Sequence, residues 1–172
     1  MRKLIIIRGP SGSGKSTVAR ELSLRCAHPP LLISEDQIRR MFVNHTQTGH
    51  EVAKRLATKA VLFGLENGYD VIYEGILNLK TSGDNLHEFF DAHKEENYLF
   101  YLDVSFDETV RRHKTRDKNT EFKAESMKKW WDFASPTGHA AETIIPESSS
   151  LENTIKTIAK MAGLQLKKAE RT

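Results

Sequence analysis

Short apolar runs alternate with amphipathic stretches along this chain, and glycine, proline or serine stands at most of the junctions. Lys3 to Arg8, with three consecutive isoleucines, reads as a buried strand. The glycine-rich stretch 9–14 breaks it. From Lys15 to Arg25, Val18, Ala19 and Leu22 recur at helical spacing until Pro29 and Pro30 end the pattern. Leu31 to Ile33 is a second strand. Ser34 with Gln37 is a capping-box pattern that opens a helix from Glu35 to about Val43. Asn44 to Gly49 is polar and reads as a loop. Val52, Leu56, Ala60 and Phe63 then mark a longer helix, stopped near Asn67 and Gly68. Val71 to Tyr73 is a third strand, closed by Glu74 and Gly75.

The second half repeats the alternation. A helix is expected over Leu86 to Lys94 and a fourth strand over Tyr98 to Val104. Ser105 with Glu108 is a second capping box, opening a helix through about Lys114. Phe122, Trp130 and Phe133 suggest a further helix, followed by a turn-rich loop from Ser135 to His139. Thr143 to Ile145 is a fifth strand ending at Pro146. Ser149 with Glu152 is read as the cap of a last helix through about Met161. Such alternation implies an α/β domain with a mainly parallel sheet and helices on both faces. Residues 1–165 are taken as that single domain, with a polar lid at about 115–121 and a polar tail at 166–172.

Composition narrows the function classes. The 172 residues carry 26 Lys plus Arg against 23 Asp plus Glu, a net +3 that does not by itself argue for nucleic acid or a membrane surface. With 38% hydrophobic and 28% charged residues the balance is that of a folded soluble domain. The longest aliphatic run, Leu4 to Ile7, is too short for a membrane span or a signal-peptide core. Cys26 is the only cysteine, which excludes a disulfide framework and a cysteine-rich zinc site and points to a reducing cytoplasm.

The chemistry begins at Gly9, Pro10, Ser11, Gly12, Ser13, Gly14, Lys15 and Ser16, which fit G-x-x-x-x-G-K-[ST] at every fixed position. Average residue usage makes such a match in this length a chance event of roughly 0.5%. It also follows a strand and precedes a helix, as the mechanism requires. Glycines let backbone N–H groups converge on phosphate oxygens, and the helix adds its positive end. Lys15 can neutralise the outer phosphates. The Ser16 hydroxyl is suited to Mg²⁺, and Thr17 supports the helix start. A plain glycine-rich turn would not account for Gly14, Lys15 and Ser16 together.

Two further features bear on what the nucleotide is used for. No Asn-Lys-x-Asp guanine motif occurs, and neither Glu74 nor Asp103 forms the carboxylate pair usual in motor ATPases. Asp36 and Arg39 are three apart at a helix start, where an open α/β sheet carries its ligand crevice. Asp36 could accept a proton from a substrate hydroxyl while Arg39 holds the acceptor. The competing reading is a surface ion pair at a favourable helix end, and Glu35 competes for the acid–base role from one position round the helix. The run from Arg111 to Arg116 sets Arg112 and Arg116 four apart, so one face can carry both toward phosphates. A solvated basic helix end is the alternative there.

The cradle, the Asp36/Arg39 pair, the Tyr73-Glu74-Gly75 strand end and the Arg112-to-Arg116 run occur in an order that resembles the small P-loop kinases with an adenylate-kinase-like core. Within them the Asp-x-x-Arg pair is similar to the polynucleotide 5′-hydroxyl kinases and to the zeta-toxin and chloramphenicol phosphotransferase group. The resemblance runs from Leu4 to about Ile145. It implies a doubly wound, five-stranded parallel sheet in the order 2-3-1-4-5, with ATP and Mg²⁺ as cofactors. It further implies Asp36 as general base, Arg39 on the acceptor, Arg116 and then Arg112 on the transferring phosphate, and Glu74 as a contact to substrate or, indirectly, to the Mg²⁺ site. Many adenylate-type kinases carry Asp-Gly where this chain has Glu74-Gly75.

The reading is therefore an ATP- and Mg²⁺-dependent kinase acting on a hydroxyl of a small molecule or nucleotide. A polynucleotide 5′ end as acceptor, and a toxin-like or regulatory nucleotide-binding module, stand as alternatives. Other residues carry blander readings. Trp130 and Trp131 point about 100° apart on a helix, so one is expected in the core and one outside. His45 and His50 flank a polar loop that could line the acceptor pocket. Lys123, Lys128 and Lys129 are expected on a solvated face. Cys26 is expected to be a small core residue.

Overall fold

The computed structural model describes residues 2–42, 47–77, 96–114, 128, 131, 135–137 and 141–167. Their elements run β1 (Leu4–Arg8), α1 (Lys15–Arg25), β2 (Leu31–Ser34), α2 (Glu35–Arg40), α3 (Gln47–Glu66), β3 (Val71–Gly75), β4 (Asn97–Asp103), α4 (Phe106–Lys114), β5 (Glu142–Pro146) and α5 (Leu151–Met161). The five strands form one sheet in the order β2-β3-β1-β4-β5, and every pairing is parallel. This is the doubly wound architecture and strand order expected from the sequence. The helix expected over 86–94, the lid at 115–121, and Arg116 and Trp130 lie outside the described residues.

β1 is central, pairing with β3 on one side and β4 on the other. Helices cover both of its faces, so all five of its residues are buried and its sequence is continuous rather than alternating. Leu4 and Ile6 pack with Ala57, Val61 and Leu65 of α3 and with Tyr73 and Leu99 of the flanking strands. Ile5 and Ile7 pack on the other side with Val18, Ala19 and Leu22 of α1 and Ile155 and Ile158 of α5. Each fully buried isoleucine contributes about 1.5–3 kcal/mol. Gly64 lets α3 approach the sheet closely, since a Cβ there would stand 2.7 Å from Leu31 and 2.9 Å from Val71.

Several boundaries differ from expectation for local reasons. α2 stops at Arg40 rather than near Val43; the N–H groups of Met41 and Phe42 turn back to Ile38 and Arg39 in a tightened last turn. Gln47 to Gly49, read as loop, belong to the first turn of α3. The cap of α5 is Ser150, which accepts from the Asn153 N–H at 3.2 Å, not Ser149. The Ser149 hydroxyl meets that of Thr154 at 2.9 Å, and Glu152 pairs with Arg25 and Lys156 instead of closing a capping box. Ser34 and Ser105 cap α2 and α4, accepting from the Gln37 and Glu108 N–H groups, but the expected box at Ser105 is not closed, since its N–H donates to Glu147 and the Glu108 carboxylate pairs with Arg111 and Arg112.

After α5 the chain returns to α1. The Ala27 N–H donates to Gln165, the Lys167 N–H donates to Arg25, and Cys26 bridges Leu166 in antiparallel fashion. Leu166 and Lys167, assigned above to a polar tail, are thus bonded to the end of α1. Cys26 is buried in the core, and burial pushes its thiol pKa up. Among the described residues no helix is long and apolar enough to cross a membrane.

Candidate active site

Two loops and two helix ends converge at the carboxyl edge of the sheet. The first is the glycine-rich turn between β1 and α1. Gly14 stands at the N-cap of α1 with φ 98°, a left-handed conformation that explains glycine there. No side chain caps this helix, so its positive end is open to an anion. Gly9 is required for close approach: a Cβ would lie 2.8 Å from the Leu102 carbonyl oxygen. The Ser13 N–H donates to the Pro10 carbonyl at 3.1 Å and tightens the ring. Lys15 is buried and folds back over the same loop, its Nζ donating to the Pro10 carbonyl at 2.8 Å.

Strand register then brings a carboxylate to the cradle. Glu74 lies beside Ile7 on β1 and Ser34 on β2. It is 2% exposed and accepts from the Ser16 hydroxyl at 3.1 Å and the Ser34 hydroxyl at 2.5 Å. A buried carboxylate costs several kcal/mol unless partnered. Here two hydroxyls at the phosphate end of the site supply the partners. Ser16 and Glu74 form a compact set of hard oxygen donors that suits Mg²⁺, an ion normally held by one or two protein oxygens together with substrate phosphates.

The opposite bank is α2. Arg39 donates to Asp36, as the spacing predicts, and Arg40 Nε donates to its other oxygen at 2.6 Å. Burial pushes the Asp36 carboxyl up, but the bonds from Arg40 and Arg39 outweigh it and hold Asp36 below the usual range. Its neighbour Glu35 turns inward. A Cβ on Gly75 would stand 2.6 Å from Glu35 Oε2. Burial pushes the Glu35 carboxyl above its ordinary value, offset only in part by Arg39, Lys54 and a hydrogen bond from the Leu77 N–H. Adjacent carboxylates are thereby driven in opposite directions.

α4 supplies the guanidinium. Arg112 donates from Nε to Glu108 at 2.7 Å, from Nη1 to the Ser13 carbonyl at 3.0 Å, and from Nη2 to the Glu147 carbonyl at 3.3 Å. Bonds from Arg111 and Arg112 lower the Glu108 carboxyl to about 2. Arg112 therefore reaches the cradle itself. Between cradle, α4 and the turn after β5 lies a cleft of about 470 Å³, whose lining includes Gly14, Thr17, Arg112, Glu147 and Ser149. Sequence reasoning did not connect that serine turn to the site. Glu147 holds it in place by accepting from the N–H and hydroxyl of Ser105.

Arg8 was also missed, although a charged residue ending a run of isoleucines is a visible signal. It is 0% exposed. It donates from Nη1 to Glu142 at 2.7 Å, from Nη2 to the Ser135 carbonyl at 2.8 Å and from Nε to the Leu77 carbonyl at 3.3 Å, with its guanidinium 5.1 Å from the Tyr101 ring centroid. Trp131, by contrast, is structural. Its indole N–H donates to the Val104 carbonyl at 2.9 Å, and its ring meets Phe106 edge-on. Asp103 ends β4 at the surface, and Lys128 is exposed with its ammonium 5.1 Å from the Phe106 ring centroid. His50 lies on α3.

The model of a family described as AAA domain matches residues 4–133, and the chain belongs to that family. No curated protein matches the sequence. The fold is that of the small P-loop kinases. It is similar to a sugar kinase from Janibacter sp. HTCC2649, at TM-score 0.74 and 14% identity over 93% of this chain and 94% of that one. It is equally similar to the Mycobacterium tuberculosis APS kinase solved with AMPPNP and APS, at TM-score 0.73 and 15% identity over 94% and 98%. A chain of the Pnkp1/Rnl/Hen1 RNA repair complex matches at TM-score 0.63 and 23% identity, over 77% of this chain and 44% of that one.

Proposed function

We propose that this AAA-domain family member is an ATP- and Mg²⁺-dependent phosphotransferase that moves the γ-phosphate of ATP to a hydroxyl of a small-molecule or nucleotide acceptor. The observation that carries the reading is the buried Glu74 carboxylate on the Ser16 hydroxyl, at the point where the cradle faces α2. The same carboxylate accepts from Ser34, the cap of α2, so it links the cradle to the helix that carries Asp36, which supports the reading.

The roles follow from place and chemistry. Backbone N–H groups of 9–16 hold the β- and γ-phosphates, and Lys15 exchanges the Pro10 carbonyl for a phosphate oxygen. The cleft beside Arg112 and Ser149 takes the nucleoside end. Ser16 and Glu74 would hold Mg²⁺, which supplies charge neutralisation to the phosphates when bound. Asp36 accepts the proton of the acceptor hydroxyl, whose oxygen bonds to the γ-phosphorus as the bond to the bridging oxygen breaks and ADP leaves. Arg39, already beside Asp36, orients the acceptor. Arg112, with Arg116 further along the same run, offsets charge on the transferring group. Catalysis of this kind is positioning and electrostatics more than covalent chemistry.

Calorimetry with a nonhydrolysable ATP analogue and Mg²⁺ tests the donor side. ADP formation across sugars, nucleosides, amino alcohols and 5′-hydroxyl oligonucleotides tests the acceptor side. Binding plus acceptor-dependent ADP formation is expected. Absence of any nucleotide binding would overturn the reading.

A further inference from the structure

We propose that Arg8, held by Glu142, is a positioning residue for phosphoryl transfer that fixes the turn after β3, beside Glu35 and Asp36, against the 135–137 segment. The inference rests on the phosphotransfer reading above. Strand alternation puts Arg8 on the same face of β1 as Leu4 and Ile6, toward α3, where an aliphatic residue would complete the core. A buried ion pair is a poor device for stability, because replacing it with apolar residues of similar volume is often neutral or stabilising. Arg8 and Glu142 are 0% and 2% exposed.

What the pair does instead is hold backbone. The three nitrogens of the guanidinium reach Leu77 and, far from it in sequence, the neighbouring Ser135 and Glu142. The second Glu142 oxygen accepts both the N–H and the hydroxyl of Thr137. Arg8 and Glu142 thus fix the turn after β3 and the 135–137 segment together, one residue before the cradle begins.

The Leu77 turn shows why such an anchor is needed. Leu77 is buried with φ 45°, a left-handed conformation that is costly for a leucine. Its carbonyl is bonded by Arg8 and its N–H by Glu35. Strain of this kind persists only where the surroundings over-determine the backbone. The fork of an arginine can do so and the point charge of a lysine cannot. Because Leu77 also steadies Glu35 beside Gly75, a displaced turn would shift the helix end that carries Asp36.

Arg8→Lys is the first test, since it keeps the charge opposite Glu142 but loses the fork. Expected are a thermal midpoint and an affinity for the nonhydrolysable ATP analogue close to wild type. The transfer kcat should drop about 100-fold, as ångström-scale misplacement does. Exchange of the Leu77 amide with solvent should speed up at least about tenfold. A second variant, R8M with E142M, removes the buried charges and should show the same split. Wild-type turnover with a Leu77 amide as protected as before would overturn the inference. So would a loss of analogue affinity in proportion to kcat, which marks a general structural role. Should wild-type enzyme phosphorylate nothing in the acceptor panel, the phosphotransfer reading falls. Leu77 exchange in both variants then decides the anchoring role by itself, and an unchanged rate rejects it.

Discussion

The two banks of the crevice are built from different materials. The donor bank is mostly main chain: a turn opened by Gly9 and Gly14, the free end of α1, and carbonyls of Ser13 and Glu147 that dock Arg112. The acceptor bank is mostly charged side chain. Asp36 lies between Arg39 and Arg40, Glu35 is pressed against Gly75, and Arg8 is bonded directly to the Leu77 and Ser135 carbonyls and to Glu142. Backbone groups bind any phosphate of the right shape, so the donor bank is generic. Side-chain networks change with each substitution, so under the proposed function the acceptor bank is where selectivity between hydroxyl compounds would be set.

That contrast can be broken by exchanging one residue on each bank. Asp36→Asn should leave affinity for the ATP analogue intact while transfer falls about 10²–10⁴-fold, the usual scale of general-base catalysis. Lys15→Ala should lower turnover about 10²–10³-fold and weaken analogue binding as well, because Lys15 belongs to the donor bank. Calorimetry beside a steady-state assay separates the two patterns. If Asn at 36 weakened nucleotide binding and kept turnover, the assignment of banks would be reversed.

A smaller effect is expected where the banks touch. Glu74→Gln keeps a hydrogen-bonding oxygen for Ser16 but removes the charge. The Mg²⁺ concentration giving half-maximal activity should rise about 10–100-fold, with turnover at saturating Mg²⁺ much less affected. A Mg²⁺ titration of both enzymes reads this directly. An unchanged midpoint would detach Glu74 from the ion.

The smallest effects sharpen the comparison within α2 itself. The Glu35 carboxyl is raised in the folded state. Its stabilising contribution is therefore complete below the ordinary carboxylate pKa and is lost as pH rises through the raised value. Glu35→Gln should match wild-type stability near pH 4 and become the more stable protein toward pH 8. Asp36 is lowered, so its contribution is present above the ordinary carboxylate range and is lost as pH falls through the lowered value. Wild type should exceed D36N at pH 7 by no more than about 1 kcal/mol, since the pair is exposed, and the gap should close on acidification. Denaturant melts across that pH range test both signs.

The donor bank was legible in the sequence because it is contiguous. Gly9 to Ser16 carry the cradle within eight residues, and the spacing itself states the geometry. The parallel α/β sheet was legible because strand and helix alternate and buried strands lack polar interruptions, whereas its strand order came only from the family resemblance. The acceptor bank depends on contacts through space. Nothing near Arg8 in the sequence announces Glu142, and the direction in which Glu35 turns is set by the absence of a side chain at Gly75. Arg40, which shares Asp36 with Arg39, follows it in the chain and was passed over because three-residue spacing already offered a partner. The cap of α5 was misassigned by one residue because three consecutive serines offer the same chemistry.

The central place of β1 has a consequence for biosynthesis. β1 is made before both of the strands that flank it, whose first partners are Val71 and Asn97. A ribosome must therefore release the chain well past Asn97 before Leu4 to Ile7 have neighbours on both edges. Until then the most apolar segment of the protein is an unpaired strand, a natural client for a chaperone. The glycine-rich loop, whose Gly9 lies against Leu102, would acquire its shape only as the fourth strand docks, so under the proposed function nascent chains arrested before Asn97 should be unable to retain nucleotide.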